Sequence, residues 1–409
     1  MTFGVIRTLR LKDFNVDRHT YFTMFDHVNW RLSSKLLEKN LLINNITPSH
    51  NNQISKKNAD WFSNLCTEEE LQDLRTDPDT FIVFNFCHEG FSYKQFDIFK
   101  PLTESGNNHN IPGEKIIYLS GNLYDERVYQ EWRDLYSPAY EFKVISFNLW
   151  DSFIQGLHGS KQNHDGKIIT MADTRAEIEK GQYNFINLNR RIRPFRALTA
   201  FFLWTSGCKE NIMLSHDELN LKEQNRIFKW CDEFAKYNID EPSFRKFAKQ
   251  TPFIVDREDF ETNWANTLPD KLFQRSLISL VSETLHDSYD NTSMFYSEKT
   301  FRPMIYNHPV MIFGQPGCNK YLEKVGYATY DCYFDLSFDD EKDDIKRLKM
   351  QVEQLEKLDK ELNQMTKKQK YEWLMQGNKV LQHNKSALQQ QVYNTNKLKE
   401  LLDYIGQGY

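Results

Sequence analysis

The sequence predicts an α/β protein of two successive units, each built on a parallel sheet, with a charged helical extension behind them. Three observations predict this. Runs such as Thr80–Phe86 (TFIVFNF) and Ser276–Ser282 (SLISLVS) are almost continuously apolar, as strands covered on both faces require. Between such runs lie helix-length segments, giving the strand–helix–strand rhythm of an open sheet. That rhythm stops in a polar, Gly-punctuated stretch at 156–181 and then restarts.

Taken in order, residues 1–75 mix short apolar groups around ITPSHNNQISKKN and read as helices joined by a loop, with no chemistry assigned. Strands follow at Thr80–Phe86, 115–120 and 142–147, with a helix at Asp125–Tyr136 between the last two. After the linker, 183–189 reads as a strand, and Pro194 opens a helix carrying Leu198, Phe201, Phe202 and Leu203 that ends near Gly207. Further strands are expected at Ile212–Ser215, 251–255, Ser276–Ser282 and 309–313. From Asp343 onward Ile345, Leu348, Val352, Leu355, Leu358 and Leu362 recur at steps of three and four, one apolar stripe of a packed helix or of a coiled-coil seam. The expected domains are 1–160, 183–340 and a helical extension 341–409.

Composition narrows the function. A chain of 409 residues suits two domains, and 40% hydrophobic with 14% aromatic residues excludes wholesale disorder. Thirty Phe and 20 Tyr can fill cores and still line a sugar or base pocket. A net charge of −5 gives no general attraction to polyanions, so nucleic acid would need a local basic groove. Six cysteines without CxxC or zinc spacing read as reduced thiols. No apolar run approaches the ~18 residues of a membrane span. A cytoplasmic protein is expected, in the host cytoplasm if phage-encoded.

Three constellations can carry chemistry. In Asn187-Leu188-Asn189-Arg190-Arg191-Ile192-Arg193-Pro194-Phe195-Arg196, four guanidinium groups sit where a strand ends and a helix begins. Helix N–H groups and arginine forks both favour phosphate oxygens there. In Leu280-Val281-Ser282-Glu283-Thr284 a carboxylate follows directly on a strand, and Ser297-Glu298-Lys299 opens a later helix. A carboxylate there can accept ribose hydroxyls, and a lysine can neutralise a diphosphate. In Asn85-Phe86-Cys87-His88-Glu89-Gly90, His88 or Glu89 could take a proton from an attacking hydroxyl, with Asp125 as a rival base. The acidic pairs Asp339-Asp340 and Asp343-Asp344 lie in a charged helical lead-in, so no metal is expected.

LVSET followed by YSEKTFRPMIYNHPVMIFGQPG resembles the donor-binding half of fucosyltransferase-like GT-B glycosyltransferases, including phage and bacterial members. Those enzymes place a Glu-bearing FEN triplet at a strand end, then a (T/S)EK helix, then an "hP(V/I)hhG" strand. The counterparts here are Ser282-Glu283-Thr284, Ser297-Glu298-Lys299 and residues 308–314, so the Asn of the triplet is replaced. The resemblance covers about 183–390. It implies the GT-B fold, two Rossmann-like domains facing a cleft. It implies an inverting, metal-independent transfer from a nucleotide-sugar, with GDP-sugars slightly favoured.

Asn189, Arg190, Arg191, Arg193, Arg196, Glu283, Ser297, Glu298 and Lys299 would bind the donor. Arg190, Arg193 and Lys299 would hold the diphosphate, and Glu283 or Glu298 the ribose. Glu89 or His88 would be the base. The acceptor would be either a glycan or a hydroxymethylated pyrimidine in DNA. The competing expectation is a non-catalytic nucleotide- or glycan-binding protein of the same fold that works through its helical tail.

Overall fold

The computed structural model describes residues 8–12, 40–45, 60–87, 89–95, 97–138, 140–158, 182–189, 191–233, 239–255, 270–287 and 291–406. The predicted α/β class holds, with two wholly parallel sheets. The chain divides into two compact units: Met1–Phe153, Ser288–Phe295 and Gln391–Tyr409 form the first, Ile154–Asp287 and Tyr296–Gln390 the second. The first unit therefore takes two segments from beyond the expected boundary at 156–181, while the second begins at Ile154, next to it; most of that boundary (159–181) lies outside the described residues.

In the first unit β1 (Thr8–Lys12), β2 (Asn40–Asn45), β3 (Thr80–Phe86), β4 (Ile116–Ser120) and β5 (Lys143–Ser146) lie in that spatial order. The first two strands correct the expectation for residues 1–75, which had no strand in it; helices do follow at 61–76, and the expected loop ITPSHNNQISKKN lies outside the described residues. Thr8-Leu9-Arg10-Leu11-Lys12 alternates apolar and polar, the pattern of a half-covered edge strand rather than a central one. Helices of this unit are α1 (Trp61–Leu65), α2 (Glu68–Thr76, opened by a Thr67/Glu70 capping box), α3 (Phe99–Asn108) and α4 (Asp125–Tyr136), with α5 (Leu149–His158) at its boundary.

Strand β3 explains the apolar run. All seven of its residues are buried, and successive side chains point to opposite faces. Ile82, Phe84 and Phe86 enter a core with Trp61, Phe62, Leu71, Phe99 and Trp132. Phe81 and Val83 enter a second core on the other face. A sheet whose order never reverses puts right-handed crossover helices on one face only. The other face needs a cover from elsewhere in the chain, and the C-terminus supplies it.

In the second unit β6 (Tyr183–Leu188), β7 (Ile212–Ser215), β8 (Ser276–Ser282) and β9 (Val310–Phe313) are ordered β7-β6-β8-β9. The strand expected at 251–255 is corrected to a single antiparallel bridge, Phe253 with His216. Pro252 within it cannot donate to a ladder. Helices α6 (Pro194–Thr205), α7 (Leu221–Glu233), α8 (Glu241–Ala248), α9 (Asp270–Gln274) and α10 (Glu298–Ile305) follow the chain between strands. After β9 come α11 (Asp344–Gln364), α12 (Lys367–Gln376) and α13 (Asn378–Gln390).

The expected extension 341–409 is thus no separate domain. The apolar stripe of α11 is buried, with Leu348, Leu355 and Leu362 wholly so, and α11 packs on α6. The final helix α14 (Val392–Gly406) belongs to the first unit, where Leu398, Leu401 and Ile405 cover the bare sheet face. Lys397 Nζ reaches both oxygens of Glu126 at 2.6 Å and Lys143 Nζ reaches Glu400 at 2.6 Å, latching α14 in place. Neither stripe remains for a coiled-coil seam or a docking tail. Among the described residues no helix is long and apolar enough to cross a membrane.

Candidate functional site

The order β7-β6-β8-β9 reverses between β6 and β8: the chain leaves β6 toward β7 on one side and builds β8 and β9 on the other. Open parallel sheets bind ligands outside the carboxyl ends of the strands at such a reversal. Asn189 and the arginine turn follow β6 there, and Glu283 and Thr284 follow β8. The two sequence constellations of the second unit therefore meet at one sheet edge.

Glu283 is the centre of this edge, but not as a ligand-facing group. It is 2% exposed. Its Oε1 accepts from Ser297 N (2.9 Å) and Thr300 Oγ1 (2.6 Å), and its Oε2 from Thr284 N (2.9 Å) and Ser297 Oγ (2.7 Å). Four donors take up both oxygens, so the predicted ribose contact is corrected to an internal clamp that sets the start of α10. Ser297 is likewise corrected: 2% exposed, it caps α10, donates to Glu283 and accepts from Lys299 Nζ at 3.1 Å.

The predicted cations divide by exposure. Arg190 lies outside the described residues, Arg191 and Arg193 are exposed, and Arg196 is buried. Arg196 Nη2 donates to Thr284 Oγ1 at 2.8 Å and Nε to the Glu283 carbonyl at 3.4 Å. No other acceptor for its guanidinium lies among the described residues. Burial, and then the charge of Arg193, lower its pKa to about 10, leaving it charged.

Asn189 Nδ2 holds the Arg196 carbonyl at 2.7 Å, while its buried Oδ1 has no donor among the described residues. Such an orphaned acceptor fits a water or a ligand hydroxyl. Lys299 Nζ lies 3.0 Å from Glu298 Oε1, the two side chains 23% and 17% exposed. Burial alone would raise the Glu298 carboxyl, but Lys299 and Arg302 overcome it and hold the pKa at about 2. Burial, and next Arg196 against the pull of Glu298, lower the pKa of Lys299.

Lys299 and Arg302 also border a small cavity of about 40 Å³ under α10, with Leu188, Ser282 and Pro303. Around this edge Arg191, Arg193, Arg196, Lys299 and Arg302 outnumber the carboxylates Glu283 and Glu298. The surplus is positive and partly desolvated, as anion binding requires.

No family model, curated protein or solved structure matches the chain. The fucosyltransferase-like resemblance rests on the motif residues alone.

In the first unit the predicted bases follow β3. His88 lies outside the described residues, and Glu89 is half-buried, its N–H donating to the Phe86 carbonyl at 3.2 Å. The backbone passes so close that a Cβ on Gly121 would meet the carbonyls of Cys87 and Glu89 at 2.5 and 2.6 Å. Asp125, the rival base, is 1% exposed and accepts from Ser120 Oγ at 2.5 Å and Asn122 Nδ2 at 2.7 Å. Asn122 Oδ1 in turn accepts from Met294 N at 2.9 Å, tying the borrowed segment 291–295 to this edge. Asp125 is an internal knot.

Burial pushes the Asp125 carboxyl up to about 8, against the pull of Ser120 and Asn122. The folded chain then keeps a proton that the unfolded chain releases near the ordinary value of 3.8. The resulting stabilisation is full below that value and is lost as pH rises to about 8. Between pH 5 and 8 this group should cost up to ~1.4 kcal/mol of stability per pH unit. Urea unfolding of the wild type and Asp125→Asn across that range should show the variant's curve flattened. Parallel curves would contradict a protonated Asp125.

Two groups escaped sequence reasoning. His286 stacks on Phe195 (4.5 Å between centroids, 19° between planes), packs against Trp230, and sets Nε2 3.8 Å from Asp344. Arg347, 2% exposed, donates to the carbonyls of Gly314 (2.9 Å), His286 (3.0 Å) and Glu341 (2.8 Å) and to Asp344 (2.8 Å). Only the Asp344–Arg347 spacing on α11 hinted at this. The acidic pairs serve as caps and partners: Asp339 receives Lys320 N at 2.8 Å, and Asp343 caps α11.

Proposed function

We propose that the protein is an inverting glycosyltransferase of the GT-B type that takes its sugar from a nucleotide-sugar. The observation that carries the proposal is the cation-rich edge at the β6/β8 reversal, where Arg196 and Lys299 converge on Glu298. Arg191, Arg193, Arg196 and Lys299 hold the diphosphate, in the role a metal plays in other transferases. Arg190 is assigned with them from the sequence. Glu298, ionised at every working pH, accepts ribose hydroxyls, and the orphaned Asn189 Oδ1 accepts one further hydroxyl.

An acceptor oxygen attacks the anomeric carbon, the bond to the β-phosphate oxygen breaks, and the nucleoside diphosphate leaves with the electron pair. The cationic edge stabilises the charge that develops on that leaving group. Glu89, or its neighbour His88, receives the acceptor's proton. GDP-sugars are slightly favoured by the motif resemblance. The acceptor is a glycan or a hydroxymethylated pyrimidine in DNA. The alternative, a non-catalytic nucleotide- or glycan-binding protein of the same fold acting through its helical tail, is less favoured because the apolar stripes of α11 and α14 are already buried within their own units.

The test is incubation with a panel of GDP- and UDP-sugars, following released nucleoside diphosphate. One donor should be hydrolysed slowly without acceptor and faster with the right one. Acceptance of hydroxymethylated DNA would show binding that falls steeply with salt. No release from any donor, together with no thermal shift by GDP or UDP, refutes the proposal.

A further inference from the structure

The first unit holds a second cavity, of about 470 Å³, within the size range of small-ligand sites. It lies between α3 and the last turns of α4, the end of that helix remote from Asp125. Twelve residues of helix span ~18 Å, so the cavity stands well away from the carboxyl edge of the sheet.

An aromatic ladder runs from the core to this cavity. Phe99 meets Tyr129 at 5.0 Å, Tyr129 stacks on Trp132 (5.9 Å, 14°), and Trp132 meets Tyr136 at 5.5 Å. Tyr136 is 62% exposed, next to an exposed Leu135 at the end of α4, whose earlier apolar residues Val128, Tyr129 and Trp132 are buried. Tyr93, stacked on Phe99, forms another wall. Rigid rings of this kind offer flat apolar area at little entropic cost.

The rim is polar. Among the described residues Asp97 accepts only a long bond from Lys100 N (3.4 Å), and Glu104 has only Lys100 Nζ at 3.8 Å. The Thr103 hydroxyl is buried without a partner. Carboxylates here can accept the paired hydroxyls of a polyol. Two carboxylates against one lysine disfavour a phosphate, and the paired acceptors beside flat rings suit the hydroxyls of a neutral polyol, with a cation over the rings as the competing ligand.

We infer that this cleft binds a neutral oligosaccharide, the sugar's C–H face against Tyr136 and Trp132 and its hydroxyls on Asp97, Glu104 and Thr103. The inference goes beyond the transfer proposal and needs no nucleotide, so either can fail alone. The experiment is saturation-transfer NMR on the full chain with cellotriose, maltotriose and chitotriose, and with choline as a cationic probe. At least one trisaccharide should receive saturation on its ring protons. Tyr136→Ala, at an exposed position, should weaken that binding about tenfold, and Glu104→Gln several-fold. Wild-type circular dichroism of both variants keeps the comparison clean. No transfer to any sugar, transfer unchanged by Tyr136→Ala, or preferential binding of choline overturns the inference.

Discussion

Lys299→Ala is expected to weaken binding of the preferred nucleoside diphosphate by about 10- to 150-fold, the worth of a hydrogen bond to a charged group. The Nζ is held by Ser297 Oγ and Glu298 at the mouth of α10, and its partial burial keeps solvent from screening it. Removing it leaves Glu298 facing the incoming phosphate with less cation to offset its charge, which adds to the loss. The chain itself should lose less, since Arg302 and Arg196 still counter Glu298. Calorimetric titration with GDP and UDP at one fixed salt concentration measures the effect, and thermal melting without nucleotide measures the structural part. Unchanged affinity in a folded Lys299→Ala protein would remove the anion site from this edge, and the transfer proposal with it.

Glu283→Ala should lower the unfolding free energy by about 3–5 kcal/mol, because four donors lose their acceptor inside the protein. Glu283→Gln offers no rescue. Oε1 faces the Ser297 N–H and Oε2 the Thr284 N–H, so an amide nitrogen in either place meets a backbone donor. Both variants should unfold at markedly lower urea, and nucleotide affinity should fall as the start of α10 loosens. A Glu283→Gln protein with wild-type stability would show that the carboxylate does not clamp the start of α10, and would leave it free to face a ligand.

Most of the strands were legible because a strand buried on both faces must be apolar throughout, as β3 and β8 are. β1 and β2 were not, since an alternating pentapeptide such as Thr8–Lys12 has no signal beyond its own length. The site was legible as two motifs, at 187–196 and 282–299, because strand ends and helix starts leave a mark in residue type. Which side chains face a ligand was not legible. Glu283 and Glu298 look alike in a sequence; one is enclosed by four donors and the other stands beside Lys299 at the rim.

By itself, then, the sequence determined the α/β class, the alternation of strand and helix, and the gathering of cations after β6. Those are properties of short segments, set by side-chain polarity and backbone preference. Only the tertiary structure decided the sheet order, its reversal between β6 and β8, the return of α14 to cover the first sheet, and the internal duty of Glu283. Each of these depends on which distant segments share a desolvated space, and a chain read residue by residue carries no measure of that.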